Sequence, residues 1–324
     1  MTLPAPPIPP CDLPSLCKAV GDGLRLEILR ILARDSLGVL ELSEVFAIKQ
    51  SLMSHHLKIL SQAGLIQSRR EGNSIFYRRA YLTPTDHWLS FKQGLYACLE
   101  TLPVPAEYKE RLSGIHAERA KACAAFFKDN ADKFRQQQDL IASVNVYAAT
   151  VAGLLSSAPG FDCALEVGPG EGEFLPVLQQ QFKKVIALDN SPEMLAKAQA
   201  LAASQGLKQL RFILGSTDLL LKNREQVDCA VVNMVLHHLA SPAQMLQELS
   251  QLLRPGGLLI ISELCRHEQS WTKDACGDLW QGFEADDLTG WAIASGLTQG
   301  QSSYLALRNG FQIQVHQFFK PTGV

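Results

Sequence analysis

Three glycines at alternate positions, Gly168, Gly170 and Gly172, follow directly on the apolar run Ala164-Leu165-Glu166-Val167. Such a run reads as a buried strand, and glycines at its tip allow a sharp turn and a close approach of backbone to ligand. About twenty residues later, Val185-Ile186-Ala187-Leu188-Asp189 reads as a second buried strand ending in an acid. A glycine-rich turn at one strand tip and a carboxylate at the next are what a nucleoside ligand needs, because the acid accepts hydrogen bonds from ribose hydroxyls. A dinucleotide fingerprint, G-x-G-x-x-G, would place its third glycine at position 173; that position is Glu173, and the third glycine is Gly172. The spacing points away from a dinucleotide.

The Gly-x-Gly-x-Gly form preceded by Glu166 resembles motif I of the S-adenosylmethionine-dependent methyltransferases. Further stretches resemble the same family in the same order: Val227 to Asn233 as its fourth strand, Leu236-His237-His238-Leu239 after it, and Leu253-Arg254-Pro255-Gly256-Gly257 before a fifth strand, Leu258 to Ile261. The resemblance implies a Rossmann-like domain with a mostly parallel seven-stranded sheet and S-adenosylmethionine or S-adenosylhomocysteine as ligand. Glu166, Gly168 and Gly170 are then expected at the methionine portion, with Gly172 completing the turn. Asp189, followed by Asn190, is expected at the ribose, and Asn233 near the sulfonium. Ser191 and Pro192 start a helix. Met194 packs on the adenine or fills the core. After the third strand, Arg211 to Gly215, the family often has an Asp. Here Ser216-Thr217-Asp218 stands in its place, so either Ser216 takes a weaker version of that role or Asp218 does so on a shifted loop.

Methyl transfer needs little beyond alignment, and a base only when the nucleophile carries a proton. His237 and His238 are the candidate bases, so the catalytic residues stay open. Asn233-Met234-Val235 lacks the aromatic-proline tetrapeptide of many amine methylases, and Cys265 and Cys276 make no convincing ligand set for arsenic. Gly277 to Phe283 and Trp291 to Leu297 resemble the C-terminal part of bacterial repressors with fused methyltransferase domains. Phe311 to Phe319 alternates and is expected to end the sheet.

The chain has 324 residues, enough for two domains, and a net charge of −2 that does not advertise nucleic-acid binding. The average hides a local excess: residues 46–80 hold six basic residues and one acid, Glu71. The eight cysteines are scattered with no C-x-x-C pair, which reads as reduced thiols of a cytoplasmic protein. The proline-rich Met1 to Pro10 lacks the build of a signal peptide, and no run is long enough to span a membrane.

In the N-terminal hundred residues, Leu16, Val20, Leu24, Ile28, Leu29 and Leu32 recur at helical spacing with a break near Gly21-Asp22-Gly23. A third helix fits Val39 to Phe46. A fourth fits Ser51 to Ser61, with Leu52, Leu57 and Leu60 inward and Gly64 as the stop. Leu65 to Arg70 and Ile75 to Arg78 read as a hairpin around Glu71-Gly72-Asn73-Ser74. Helix, turn, helix and basic hairpin make a winged helix-turn-helix. Leu16 to Asp22, Leu24 to Leu29, Ser54-His55-His56-Leu57-Lys58-Ile59-Leu60 and Ala63 to Ile66 resemble the ArsR/SmtB family of dimeric repressors. Gln50, Ser51, Ser54, His55 and Lys58 are candidates for reading base edges of double-stranded operator DNA. Arg69, Arg70, Arg78 and Arg79 are candidates for phosphates or the minor groove.

No metal is expected. The family's Cys-x-Cys site would fall on Val39 to Leu42, which has no cysteine. Asp86 and His87 are adjacent and point to different faces. Trp88, Phe91, Leu95, Cys98 and Leu99 form an apolar stripe, for a homodimer interface as the family implies or for the monomer core. Pro103 and Pro105 break the chain. His116 to Gln138 is expected as a long helix whose Phe126, Phe127, Ala131 and Phe134 form a cofactor lid or pack on the sheet. The expected organisation is a DNA-binding and dimerisation domain at 1–100, linker and lid helices at 101–145, and a methyltransferase-like domain at 146–324. Two functions follow. One is a transcriptional regulator with the nucleoside as effector. The other is a working small-molecule methyltransferase carrying a DNA-binding module.

Overall fold

Asp12 and Asp22 each start a helix. The Asp12 carboxylate accepts from Ser15 N at 2.9 Å and opens α1 (Leu13–Val20), and Asp22 accepts from Arg25 N at 3.0 Å and opens α2 (Gly23–Ile31). Caps of this kind contribute about 1 kcal/mol. Arg25 holds the break between the two helices. Its buried side chain donates to the carbonyls of Ala19 at 2.6 Å and Lys18 at 2.7 Å, satisfying acceptors that the end of α1 leaves open.

The computed structural model describes residues 11–71 and 74–323, so the proline-rich start and the expected turn residues Gly72 and Asn73 lie outside the described residues. The chain divides into two units, Met1–His116 and Ala117–Val324. After α2 the first unit continues through β1 (Leu37–Gly38), α3 (Val39–Phe46), α4 (Gln50–Gln62), β2 (Ile66–Glu71), β3 (Ser74–Arg79) and α5 (Leu89–Glu100). β2 and β3 pair antiparallel and β1 lies along the other side of β3. Helix α6 (Ala106–Ile141) starts at the end of the Pro103-Val104-Pro105 break, well before the His116 start expected, and the division between units falls inside it.

The first unit closes over Leu16, Ile28, Leu29, Leu42, Leu57, Leu60 and Leu65. Each such leucine contributes roughly 1.5–3 kcal/mol. One expected stripe is corrected and another divides between two faces. Leu52 is 46% exposed, because Leu57 and Leu60 select positions one turn back, Met53 and His56, for the inner face. On α5 the inner positions are Lys92, Tyr96 and Leu99, while Phe91 and Cys98 face outward. Lys92 is accommodated by Asp86 Oδ2 at 2.7 Å and the Gly64 carbonyl at 3.1 Å, and the Tyr96 hydroxyl donates to the Leu65 carbonyl at 3.0 Å.

The second unit takes α7 (Val144–Leu155), then β4 (Cys163–Val167), α8 (Leu175–Gln181), β5 (Lys184–Asp189), α9 (Pro192–Ser204), β6 (Leu210–Leu214), α10 (Thr217–Lys222) and β7 (Val227–Asn233). A 3-10 turn (Leu236–His238) leads to α11 (Pro242–Leu252), β8 (Leu253–Leu264), α12 (Trp271–Cys276), α13 (Ala285–Ala294), β9 (Thr298–Ala306) and β10 (Gln312–Phe319). The sheet order is β6-β5-β4-β7-β8-β10-β9, parallel except for β10, which runs antiparallel to both β8 and β9. All of β7 is buried, as its near-continuous apolar sequence requires of a central strand. Arg254 of the Leu-Arg-Pro-Gly-Gly turn reaches Asp228 at 2.6 Å, and Asp228 also accepts from the backbone of Asp162 and Cys163, fixing the start of β4.

The last strand corrects another expectation. β10 is not the edge, since β9 lies outside it. Its polar residues Gln314, His316 and Gln317 are all buried, and Gln314 donates to the carbonyls of Leu264 at 3.2 Å and Phe283 at 2.7 Å. Alternation here separates two covered faces, not a core face from a wet one.

Candidate functional site

Strands leaving β4 run toward β5 on one side and toward β7 on the other, which opens a crevice at their carboxyl ends. A cleft of about 190 Å³ lies there. Gly168 has φ +64°, and a Cβ on it would stand 2.6 Å from Val235 Cγ2, so the tight turn admits only glycine. Gly172 matters for packing instead. A Cβ there would stand 3.1 Å from Ala198 Cα, so its absence lets α9 pack close. Glu166, Gly168, Gly170, Asp189, Asn190, Met194, Ser216, Thr217 and Asn233 all border the cleft; Gly172 stands behind it.

Glu166 is fully enclosed. Its Oε1 accepts from Asn233 Nδ2 at 3.3 Å, and its Oε2 has no hydrogen-bond partner. The Ser262 hydroxyl donates to Asn233 Oδ1 at 2.8 Å, which aims the Asn233 amide nitrogen at Glu166. Burial pushes the Glu166 carboxyl up to about 8. Asp189 accepts from Ser191 N at 2.8 Å, and burial raises it to about 6. Both groups stand to gain from donors or a cation brought by a ligand. After β6, Ser216 and Thr217 reach the cleft, whereas Asp218 turns to Lys222 at 2.8 Å. The Ser216 hydroxyl donates to Asp218 and that of Thr217 to Glu248.

Helix α6 closes one side of the cleft through Cys123, Phe127 and Gln138. Phe127 packs on Met194 and meets His238 edge-on at 5.0 Å. Arg135 pairs with Glu173 at 2.7 Å and Glu171 at 3.5 Å, which ties α6 to the glycine loop, and Lys197 of α9 pairs with Glu171 at 3.1 Å from the other side. The side chains of Ala131 and Phe134 lie outside the described set.

The two candidate bases part company. His238 borders the cleft and His237 does not. His237 Nδ1 lies 2.6 Å from Glu263 Oε1, and its backbone N–H donates to Glu263 Oε2 at 3.2 Å. Burial alone would lower the imidazole, but Glu263 and Asp278 outweigh it and hold His237 up at about 9. Burial and the neighbouring His237 push His238 well below its usual value.

In the first unit, Gln50, Ser51, Ser54, His55 and Lys58 are all exposed on α4, and residues 51, 54, 55 and 58 share one face. His56, next to His55, turns inward, with Nδ1 3.9 Å from Asp22 Oδ1. The basic residues of the hairpin differ. Arg70 is exposed, and Arg69 pairs with the buried Glu71. Arg78 donates to Gln67 at 3.2 Å and lies 4.2 Å over the Tyr81 ring. Arg79 pairs with Glu100 and sits 4.3 Å over the Tyr96 ring, engaged within its own unit.

Residues 22–68 match the family described as bacterial regulatory protein, arsR family, and residues 165–261 match a methyltransferase domain. An HTH-type transcriptional regulator of Methanocaldococcus jannaschii is 43% identical over 61 residues, covering 18% of this chain and 68% of the relative. The chain belongs to the arsR family. Its second unit adds the methyltransferase domain. An uncharacterized 37.1 kDa protein of a Streptomyces fradiae transposon is 35% identical to this arsR-family chain over 120 residues, covering 36% of the chain and 34% of the relative. Two methyltransferases, for ubiquinone biosynthesis in Xylella fastidiosa and for arsenite in Halobacterium salinarum, are covered over 42% and 26% of their length, so the chain spans less than half of these curated relatives. A solved structure, the 1,6-didemethyltoxoflavin-N1-methyltransferase of Burkholderia thailandensis with bound 1,6-didemethyltoxoflavin and S-adenosylhomocysteine, aligns with a TM-score of 0.51 at 21% identity, over 64% of this chain and 90% of that one. At that identity the likeness establishes the fold.

Sequence reading of this arsR-family chain missed three residues that shape the cleft region. Tyr147 of α7 borders the cleft, and burial holds its hydroxyl above the usual value. Glu263 and Asp278 enclose His237. No spacing rule ties any of them to motif I; the one available signal is an acid, Glu263, inside an otherwise apolar strand.

Proposed function

We propose that this chain is a DNA-binding transcriptional regulator whose methyltransferase-type cleft binds S-adenosylmethionine or S-adenosylhomocysteine as effector. The observation that carries this reading is the pairing, in one chain, of an exposed polar face on α4 with a cleft whose two acceptors, the buried Glu166 and the half-buried Asp189, suit the charged and hydroxylated ends of such a ligand. In this reading Glu166 Oε2 takes the ligand's ammonium, Asp189 the ribose hydroxyls, and the backbone at Gly168 and Gly170 the methionine chain. Gln50, Ser51, Ser54, His55 and Lys58 read base edges of a double-stranded operator, and Arg69, Arg70 and Arg78 hold phosphates. The protein acts as a cytoplasmic homodimer. The outward Phe91 and Cys98 on α5 support pairing, and no single helix among the described residues is long and apolar enough to cross a membrane. Residues 1–100 serve DNA binding and dimerisation, 101–145 link and cover, and 146–324 bind the effector.

Helix α6 has residues in both units, and its later part borders the cleft. A ligand that orders the glycine loop therefore acts on a helix shared with the DNA-binding unit. The test is operator affinity with and without saturating S-adenosylhomocysteine, alongside ligand affinity with and without operator. The two couplings must be equal, and a value of about 1–3 kcal/mol is expected. The placement of His238 on the cleft beside Phe127 favours a second reading, an active small-molecule methyltransferase with a DNA-binding module. Zero coupling together with steady methyl transfer to a small acceptor would sink the regulator reading and establish the second.

A further inference from the structure

Behind the cleft, His237, His238 and Asp278 bring one ligand-type atom each to within 4.8 Å of one another. His237 Nε2 lies 3.7 Å from Asp278 Oδ1, and His238 Nδ1 lies 3.8 Å from the same oxygen. Neither distance is a hydrogen bond. The Asp278 side chain is 0% exposed, yet neither of its oxygens has a hydrogen-bond partner. The nearby Thr272 hydroxyl donates instead to the Gln269 carbonyl at 3.2 Å. A buried carboxylate without donors is costly, and such groups are paired or coordinate metals.

The remaining contacts give this gap a chemical meaning. Ligand atoms of a tetrahedral zinc ion, with bonds of about 2.0–2.1 Å, stand about 3.3 Å apart, so a small inward movement of these three groups would complete the set. The far nitrogen of His237 is already held by Glu263 at 2.6 Å. A carboxylate bound to the outer N–H of an imidazole fixes its tautomer and aims the other nitrogen's lone pair at a cation. Glu263 and Asp278 bring two carboxylates, each 0% exposed, against the histidines, and one dication balances both with the two rings neutral. Gly277 presents Asp278 to the histidines through a left-handed turn with φ +75°. On ligation, His238 Nδ1 carries no proton and gives up its 3.3 Å contact with the Gly277 carbonyl.

We propose that His237 Nε2, His238 Nδ1 and an Asp278 oxygen form a binding site for a divalent transition metal of the zinc type, with one coordination position left for water. The nitrogen and oxygen donors and the small set favour zinc over magnesium or calcium, which take more oxygens. The expected absence of metal rested on the N-terminal helices, and this site lies in the other unit. It is independent of whether the cleft binds an S-adenosyl ligand.

The test uses the full chain, stripped with a chelator and titrated with cobalt(II) as a coloured stand-in for zinc. One equivalent should bind with the visible bands of a four-coordinate site and be displaced by zinc. Asp278→Asn should weaken binding at least a hundredfold. A double Cys11→Ser, Cys17→Ser variant should bind as wild type. Far-ultraviolet circular dichroism and thermal unfolding, measured on the same samples, report folding separately. X-ray absorption of the zinc-loaded wild type requires no variant and should show nitrogen and oxygen neighbours including two imidazoles. No saturable uptake, undiminished binding in Asp278→Asn, or a sulfur neighbour on the metal would each overturn the proposal.

Discussion

The chain contains two consecutive histidine pairs, and it treats them in opposite ways. His55 and His56 lie on α4, where neighbouring residues point about 100° apart, so one faces solvent and the other the core. His237 and His238 lie on a 3-10 turn after β7, and both are buried with ring centroids 4.1 Å apart. In the first pair the helix period separates a contact residue from a packing residue. In the second, Glu263 and Asp278 hold His237 up against burial, while burial and the neighbouring His237 push His238 down. The same dipeptide therefore says nothing about role until its secondary structure and surroundings are known.

The largest expected contrast between the pairs is in stability. Glu263→Ala strips a buried partner from His237 and should cost about 3–5 kcal/mol. Asp22→Ala, beside His56, removes mainly a helix cap and should cost about 1 kcal/mol. Chemical denaturation of both variants checks this, and similar losses would remove the distinction between the two settings.

The units should also respond to pH in opposite directions. Burial raises Glu166 from 4.5 to about 8, so the stability linked to it is full below about 4.5 and is lost as pH rises through about 8. Burial lowers His56, and the Arg25 N–H lowers Asp22, so their contributions are full above 6.5 and 3.8 respectively and are lost as pH falls. Hydrogen exchange followed by peptide should show the second unit loosening toward pH 9 and the first toward acid. Glu166→Gln should flatten the alkaline limb, and an unchanged limb in that variant would assign it to other groups.

Ligand binding probes the cleft alone. Asp189→Ala should weaken S-adenosylhomocysteine by about 1–3 kcal/mol, because the ribose loses a charged acceptor. Calorimetric titration reads this directly, and unchanged affinity would remove Asp189 from the ligand. Smallest of all is a difference within the hairpin. Arg70→Ala should weaken DNA binding across sequences and lower the salt slope by about 1. Arg79→Ala should leave that slope unchanged, since Arg79 is held by Glu100 and Tyr96. Equal slopes for the two variants would mean that the hairpin's arginines are interchangeable.

Much of both units was legible in residue patterns. Caps, glycine stops and apolar spacing are local, so the helices and strands of the winged unit fall close to where periodicity puts them. The glycine loop and Asp189 were legible because a turn and a strand end are short-range features. Leu52 was misplaced because a helix's inner face is chosen by what packs against it, not by the most apolar residue available. The alternation in β10 misled for the same reason, since a second layer covers its polar face.

The sequence by itself determined the two fold types, the positions of the glycine loop and its following acid, and the polar face of α4, because each depends on residues within a few turns or one strand. Only the tertiary structure decided that His237 turns to Glu263 while His238 borders the cleft, that Arg79 is engaged by Glu100, and that Asp278 meets two histidines some forty positions earlier in the chain. Those outcomes depend on burial and on charges brought together from distant elements. A side chain's protonation and partners follow from the field and the solvent access at its final position, which no local pattern contains.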